Sequence, residues 1–540
     1  MYASAYLSWV SVWDSTPKEL SKPIFALRVF YTRRRDTMNK SIKKTHHPPY
    51  GILAVLMIGT FITFLNNTLL NIALPSIMVD LDIDTATVQW LTTVFMLVNG
   101  VLIPTTAFLF QKFSVRQLFL AAMSIFALGT IIAGSTDYFS ILLIGRILQA
   151  AGAAIMMPVL MNVMLVSFPI EKRGAAMGVF GLIIMFAPAI GPTLSGWIIE
   201  HYHWRMLFHF ITPIAIVVIL IGFFSLKDKK NKTDIKLDLF SLLISSIGFG
   251  GILFGFSSAG SNGWNSALVY IPLIIGVISL IWFILRQTKQ EFPMLNFSVF
   301  KYPMFSLSAT ITIVLNMAMF SGFLLLPIYV QTIRGISPLD TGLLLLPGAL
   351  LMAIMSPIIG RLFDKFGGRM LAIIGLAITT ITTYYFSQLT FTTPYNYLVI
   401  LHAVRMLGIS MVMMPVSTNG LNQLPANLYP HGTAMNNTIN QVSAAIGTAL
   451  LVTAMSNYSK SYAAQLTEEA LKNAPEAGMA EIQEQIAMKA MLEGINYTFF
   501  LSTLIACFAL LLSFFIKRAK QPEDQIEGKT SKKRITRKLA

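Results

Sequence analysis

The stretch whose reading decides the fold is GVFGLIIMFAPAIGPTLSGWI, Gly178–Ile198. It carries no charge, and as a helix it is long enough to cross the ~30 Å hydrocarbon core of a bilayer. It also holds more than an anchor needs. Ala187, Gly191 and Ser195 recur at i, i+4 and i+8, so small side chains line one face. In lipid, such a face lets helix backbones approach closely. Pro192 leaves one carbonyl without its helical partner, which is tolerated only where protein, water or a polar side chain serves it. The stretch reads as a helix packed inside a bundle, with a point where it can bend.

The rest of the chain has the same character. Of 540 residues, 55% are hydrophobic and only 12% charged, with a mean hydropathy of +0.67. Ordinary soluble domains carry about 25% charge, so this is a polytopic membrane protein. The single cysteine, Cys507, lies in an apolar run, which excludes a disulfide framework or a cysteine metal site. No other metal-ligand pattern stands out. The net charge of +16 is not a nucleic-acid signal, because most of the excess sits in loops and tails on one side of the apolar runs.

Fourteen apolar runs follow one another, centred on 51–75, 87–110, 117–136, 139–165, 175–198, 206–225, 239–259, 267–286, 304–332, 340–360, 370–390, 396–418, 432–456 and 495–516. An even number puts both termini on one side. Loops on that side carry fifteen Lys and Arg against five opposite, which assigns the termini to the cytoplasm. Residues 1–50 are a basic extension without the pattern of a signal peptide, and Met38 reads as the natural start. Residues 518–540 are a basic tail, and 457–494 a solvated, partly helical outer loop.

An internal repeat divides the chain. NIALP (Asn71–Pro75) has its partner in FLLLP ending at Pro327, and Ala107–Arg116 in Gly360–Arg369. Arg146 pairs with Arg405, and the AIG of Ala189–Gly191 with Ala445–Gly447. The order is the same and the offset is nearly constant, between 252 and 259 residues. Residues 51–225 and 304–517 therefore read as homologous six-helix halves, with 226–303 an insertion of cytoplasmic loops and two helices. Repeated halves with a site between them suit alternating access.

Three motifs carry a resemblance. GRLFDKFGGR (Gly360–Arg369) is similar to the cytoplasmic loop motif of the major facilitator superfamily. There, Gly360 permits close helix approach, and Gly367 is a further member of the same cytoplasmic gate. Asp364 can cap the next helix, pair with Lys365 or Arg369, or meet a neighbouring helix end, locking one conformer. The first-half copy, AFLFQKFSVR, has Gln111 in place of the acid and Ser114 in place of the glycine. LLIGRILQAAGAA (Leu142–Ala154) resembles the fourth-helix motif of proton-linked members, with Arg146 and Gln149 at i, i+3. A buried Arg faces the interior by default. It either serves proton coupling, as the resemblance implies, or fixes packing through carbonyls. The opening stretch is similar to the antiporter motif at Gly178, Gly191, Pro192 and Gly196, with Ala187 and Ser195 replacing glycines. With LNNTLLNIALP, Trp204-Arg205 and the fourteen runs, these features resemble the fourteen-helix drug:proton antiporter, or multidrug efflux, branch. The resemblance implies an all-α major facilitator fold and a secondary active transporter rather than an enzyme. It also implies no cofactor beyond the proton gradient.

One position departs from that branch. The resemblance places an aspartate where this chain has Asn66, and the apolar runs hold no central Asp or Glu. His209 and His402 are the titratable candidates in its place. Asn66, Asn71, Arg405, Asn437 and Gln441 are candidate cavity residues; Asn437 and Gln441, at i, i+4, could bind a ligand or bond across helices. The expected activity is proton-coupled efflux of a small amphiphilic molecule across a bacterial plasma membrane. The expected partners are that substrate and lipid, with no nucleic acid, and the expected state is a monomer. The rival is an exporter or uniporter of an anionic metabolite not coupled to protons, for which Asn66 argues. A membrane sensor without transport is the third reading.

Overall fold

The computed structural model describes residues 50–83, 85–226, 238–291, 293–473 and 479–518. They form no strand. Helices are the outcome the bilayer imposes, because each backbone N–H and C=O must be paired within its own segment. We number the apolar helices α1 (Tyr50–Asp80), α2 (Thr85–Leu102), α3 (Val115–Gly134), α4 (Phe139–Ser167), α5 (Arg173–His201), α6 (Met206–Ser225) and α7 (Leu239–Asn262). They continue as α8 (Ala267–Lys289), α9 (Pro303–Ile328), α10 (Pro338–Phe366), α11 (Gly368–Phe386), α12 (Tyr395–Asn422), α13 (Tyr429–Asn473) and α14 (Met479–Ser513). A 3-10 turn joins α2 to a short continuation, Thr106–Lys112. Among the described residues, thirteen spans are long and apolar enough to cross a membrane; α9 holds a shorter apolar helix, Pro303–Met319.

Local chemistry sets the ends. Ser114 and Gln117 form a capping box at the start of α3. Asp238 caps α7 by accepting from Ser241 N–H. Gly367, at φ +81°, ends α10 where a Cβ would be strained, and α11 begins at the next residue.

Pairings repeat between the halves. α3 packs on α4 and α6, as α11 packs on α12 and α14; α2 packs on α4, as α10 packs on α12. A Cβ on Gly191 would strike Thr68 of α1, and one on Gly447 would strike Met317 of α9, so α5 lies on α1 as α13 lies on α9. This is the major facilitator fold expected, with two six-helix halves and two inserted helices. α7 packs on both α2 and α13, and α8 packs on α7.

The structure refines three readings. α5 is helical from Arg173 to His201, including the point where the sequence lets it bend. α9 ends in one π turn, Tyr329–Ile333, although its apolar run continues to 332. The outer loop is mostly helix: α13 extends to Asn473 and α14 starts at Met479. At 1.5 Å per residue, the 45 residues of α13 reach roughly twice the thickness of a hydrocarbon core. The extension before Tyr50, the loop 227–237 and the tail after Arg518 lie outside the described residues.

Candidate functional site

The i, i+3 spacing on α4 brings Arg146 and Gln149 together as the sequence implied. Both are fully buried. Arg146 Nη1 donates to Gln149 Oε1 at 2.9 Å, Nε to the Leu91 carbonyl at 3.3 Å, and Nη2 to Asn67 Oδ1 at 3.3 Å. The guanidinium lies 4.4 Å over the Phe95 ring, a cation–π contact. Gln149 passes the network on, donating to Thr130 Oγ1 at 3.0 Å. Among the described residues no carboxylate pairs with Arg146. Dipoles and a ring face from α1, α2 and α4 hold the cation instead. Asn67 was not singled out from the sequence, but its neighbour Asn66 was. One residue along a helix is a rotation of about 100°, which turns Asn67 to Arg146. Asn66 is buried elsewhere, its Nδ2 without a hydrogen-bond partner among the described residues.

Arg405 is equally buried on α12. Its Nε donates to Thr383 Oγ1 at 3.1 Å and its Nη2 to the Ala318 carbonyl at 3.1 Å. Gly322 makes room, because a Cβ there would overlap the guanidinium. His402 is buried one turn before it, its Nδ1 without a partner among the described residues and its ring against Gly348. Beside this pair the apolar lining is rich in methionine. Met319, Met352 and Met406 form a cluster with Met185 and Met413 packed on it, so α5 of the first half meets α9, α10 and α12 of the second. A small cleft opens there, bounded by Gly181, Met185, Met352, Ser356, Ser410, Met413 and Met414.

The halves are latched at the ends where the basic loops lie. Asp364 Oδ1 and Oδ2 accept from the N–H groups of Gly174 and Ala175, each at 2.8 Å, capping the start of α5. Of the roles the sequence left open for Asp364, the neighbouring helix end is the one built. Lys365 lies instead over the Phe366 ring at 5.1 Å, and Arg369 is exposed. Gly178 meets the backbone of Ser356 and Pro357, and Gly360 meets that of Gly174, closely enough that a Cβ on any of these glycines would collide. Arg173 adds a second tie. Its Nη1 donates to Asn422 Oδ1 at 3.1 Å and to the Tyr429 hydroxyl at 2.8 Å. On the opposite seam, the Gln111 amide meets His431 Nε2 at 2.9 Å. Arg173, Asn422, Tyr429 and His431 were not singled out, because their partners come from 249 to 320 residues away.

The remaining candidates disperse. The small-residue face of α5 packs on α1: Ser195 Oγ donates to the Leu69 carbonyl at 2.7 Å, and Thr68 Oγ1 to that of Ala187 at 3.4 Å. Nothing lies within 4 Å of a Cβ built on Gly196. The side chains of Pro192 and Asn71 lie outside the described residues. His209 is exposed, its ring beside Gly134, and the structure does not bring it to Arg146. Asn437 donates to the Thr433 carbonyl in its own helix at 3.0 Å, and its buried Oδ1 has no partner among the described residues. The cross-helix amide bond comes from Asn440, which accepts from Asn316 at 2.9 Å; Gln441 is half-buried beside it. At the far end of the first half, Arg205 bridges Asp80 at 2.8 Å and Asp137 at 2.7 Å, and Trp204 Nε1 donates to Asp80 at 3.1 Å. The Arg205 hydrogen bond outweighs desolvation and holds the Asp80 carboxyl down to about 2.

Comparison with known proteins agrees with this architecture. The family profile of the Major Facilitator Superfamily matches residues 56–448. The chain is 45% identical over 504 residues to the uncharacterized MFS-type transporter YhcA of Bacillus subtilis, covering 89% of this chain and 95% of that one. It is 43% identical over 472 residues to the lincomycin resistance protein LmrB of Listeria innocua, covering 87% and 98%. The crystal structure of the human organic anion transporter MFSD10 (TETRAN) superposes with a TM-score of 0.56 at 11% identity, covering 85% of this chain and all of that one, a likeness of fold alone. The chain belongs to the major facilitator superfamily, in the fourteen-helix branch that its motifs resemble.

Proposed function

We propose that this protein exports lipophilic or amphiphilic drugs or small metabolites across a bacterial plasma membrane, with both termini in the cytoplasm, by alternating access driven by proton influx. The observation that carries this reading is the latch. Two repeated halves meet through Asp364, Arg173 and the glycines of α5 and α10, all at the basic and hence cytoplasmic ends. Such contacts are short, few and breakable, as the alternation of one packed conformer with another requires. The state described is closed to the cytoplasm. The methionine cluster supports a substrate recognised by apolar bulk, since flexible, polarizable thioethers adapt to varied shapes. The 43% identity to a lincomycin resistance protein supports drug-like cargo. Arg146, held by dipoles rather than by a carboxylate, can respond to a charge that arrives beside it.

The test is substrate uptake into everted vesicles under an imposed pH gradient, with and without a protonophore. Uptake that collapses with the gradient is expected, and indifference to the gradient would refute the coupling. Arg146→Ala should reduce gradient-driven uptake to background while the protein still inserts. Near-normal uptake would make Arg146 a packing residue.

A further inference from the structure

His431 stands where three segments meet. It lies in the first turn of α13 and is buried. Its Nδ1 accepts from the backbone N–H of Asn296 at 3.2 Å, in the segment that leads from the inserted helices into α9. Its Nε2 faces the Gln111 side-chain amide of the first half at 2.9 Å. These two contacts define the protonation state. A ring nitrogen that accepts from an N–H carries no proton, so the neutral imidazole holds its hydrogen on Nε2. Gln111 must then present its amide oxygen, an orientation related by a simple flip.

The charged groups on the surrounding elements do not compete for the ring. Lys112, beside Gln111, lies over the Phe108 and Phe113 rings. Arg173 is held by Phe168, Asn422 and Tyr429. Lys289, Glu291 and Lys301, on either side of Asn296, are exposed.

We propose that His431 is a proton-operated pin of the cytoplasmic seam. Neutral, it ties the segment at Asn296 and the helix of Gln111 to the start of α13. A proton added at Nδ1 leaves the Nε2 hydrogen bond to Gln111 in place but sets one N–H against another at Asn296. That contact is lost, and the segment entering α9 is released from α13. Protonation therefore favours opening toward the cytoplasm, the direction that proton influx must drive in an exporter. The link to transport rests on the proton-coupled reading above; the switch itself rests on the two hydrogen bonds.

The experiment uses the full chain in nanodiscs, with Cys507 replaced by Ser and spin labels at the exposed residues Phe113 and Asn427. Distances are measured at about pH 8 and at about pH 4, because burial holds the proton off the His431 imidazole and moves its titration below the ordinary histidine value near 6.5. With His431 present, the long-distance population should grow about three- to tenfold on acidification, the effect of losing one neutral hydrogen bond. His431→Asn keeps an acceptor near the Nδ1 position and cannot be protonated, so, whatever closure it loses with the Gln111 bond, its distances should not change with pH. His431→Gln keeps the reach to Gln111 but not the Asn296 contact, and should be open at both. A His431→Asn protein that retains the full pH response overturns the proposal, as does a native protein without one. If His431→Asn abolishes the response while vesicle uptake ignores the gradient, the switch stands and the coupling reading falls. If uptake is gradient-driven and unchanged in His431→Asn, the pin is wrong and the coupling reading survives.

Discussion

Asp364 and Gln111 occupy equivalent positions in the two halves, 253 residues apart, and each faces the first turn of a helix across a seam. The two seams are built from different chemistry. On one, the Asp364 carboxylate takes two backbone donors, Gly174 and Ala175, and glycines bring α5 against α10. On the other, the 256-residue offset of the AIG repeat sets Pro430 opposite Gly174 and His431 opposite Ala175. Proline has no N–H. A carboxylate at position 111 would therefore find one of its two backbone donors missing. The chain has an amide there instead, with an imidazole to meet it, and α7 packs between α2 and α13. The same offset relates Arg173 to Tyr429, which bond each other, as equivalent residues beside a pseudo-twofold axis can. A duplicated fold can thus hold one seam with a carboxylate and the other with an imidazole.

Five variants break or sharpen this contrast. The largest effect is expected from Gly360→Leu. Its side chain would enter the Gly174 backbone, and overpacking costs about 1–3 kcal/mol or more where backbone cannot yield. The closed state should vanish from the spin-label distances and transport should fall to background; an active variant would show that the halves need not approach so closely. Asp364→Asn comes next. It replaces a charged acceptor by an amide whose NH2 must face one of the two backbone donors. Hydrogen bonds to charged groups contribute about 1.5–3 kcal/mol, so closure should weaken roughly 10- to 100-fold. Gln111→Ala should weaken it only about three- to tenfold, as for a neutral bond. Equal losses would erase the distinction between the seams.

Gln111→Asp is a gentler probe. The new carboxylate gains only the imidazole, and such partly exposed pairs contribute about 1 kcal/mol or less. The roughly fivefold gained from that pair at acidic pH should offset the about three- to tenfold lost with the Asn296 contact and flatten the native pH response; an unflattened response would mean that His431 does not sense position 111. Asp80→Asn is the control, since its bonds to Arg205 and Trp204 stay within one half. Asp80 is held at about 2, below its ordinary 3.8, so the ionised clamp stabilises the fold fully above the ordinary value and is lost as pH falls toward 2. The carboxylate is 34% exposed, so screening limits the effect to about 1 kcal/mol or less. Tm should fall slightly at neutral pH, converge with the native value near pH 2, and leave the seam distances unchanged. A moved seam would mean that the outer clamp and the latch are linked.

Much of the fold and part of the site were legible before any coordinates. Arg146 and Gln149 could be paired because i, i+3 places them on one face whatever lies around them. The small face of α5 could be read as a packing surface because lipid offers no other use for such a stripe. Asp364 was recognisable as a capping acid, though not by partner. His431 was invisible, because it stands just outside the apolar run that begins at 432 and a lone histidine there has no pattern. His209 was misleading for the converse reason: it lies inside an apolar run, yet its place on α6 leaves it exposed.

By itself, the sequence determined that this chain is a multi-pass membrane protein of apolar helices, read as two related halves with an inserted pair. Bilayer thickness, backbone pairing and loop charge act on each segment alone, so their imprint is local and periodic. Only the tertiary structure decided which helix end Asp364 caps, which face of α1 reaches Arg146, and that Gln111 meets His431. These are choices among partners hundreds of residues apart, made by how helices rotate and slide against one another, and no local pattern encodes a rotation between two segments.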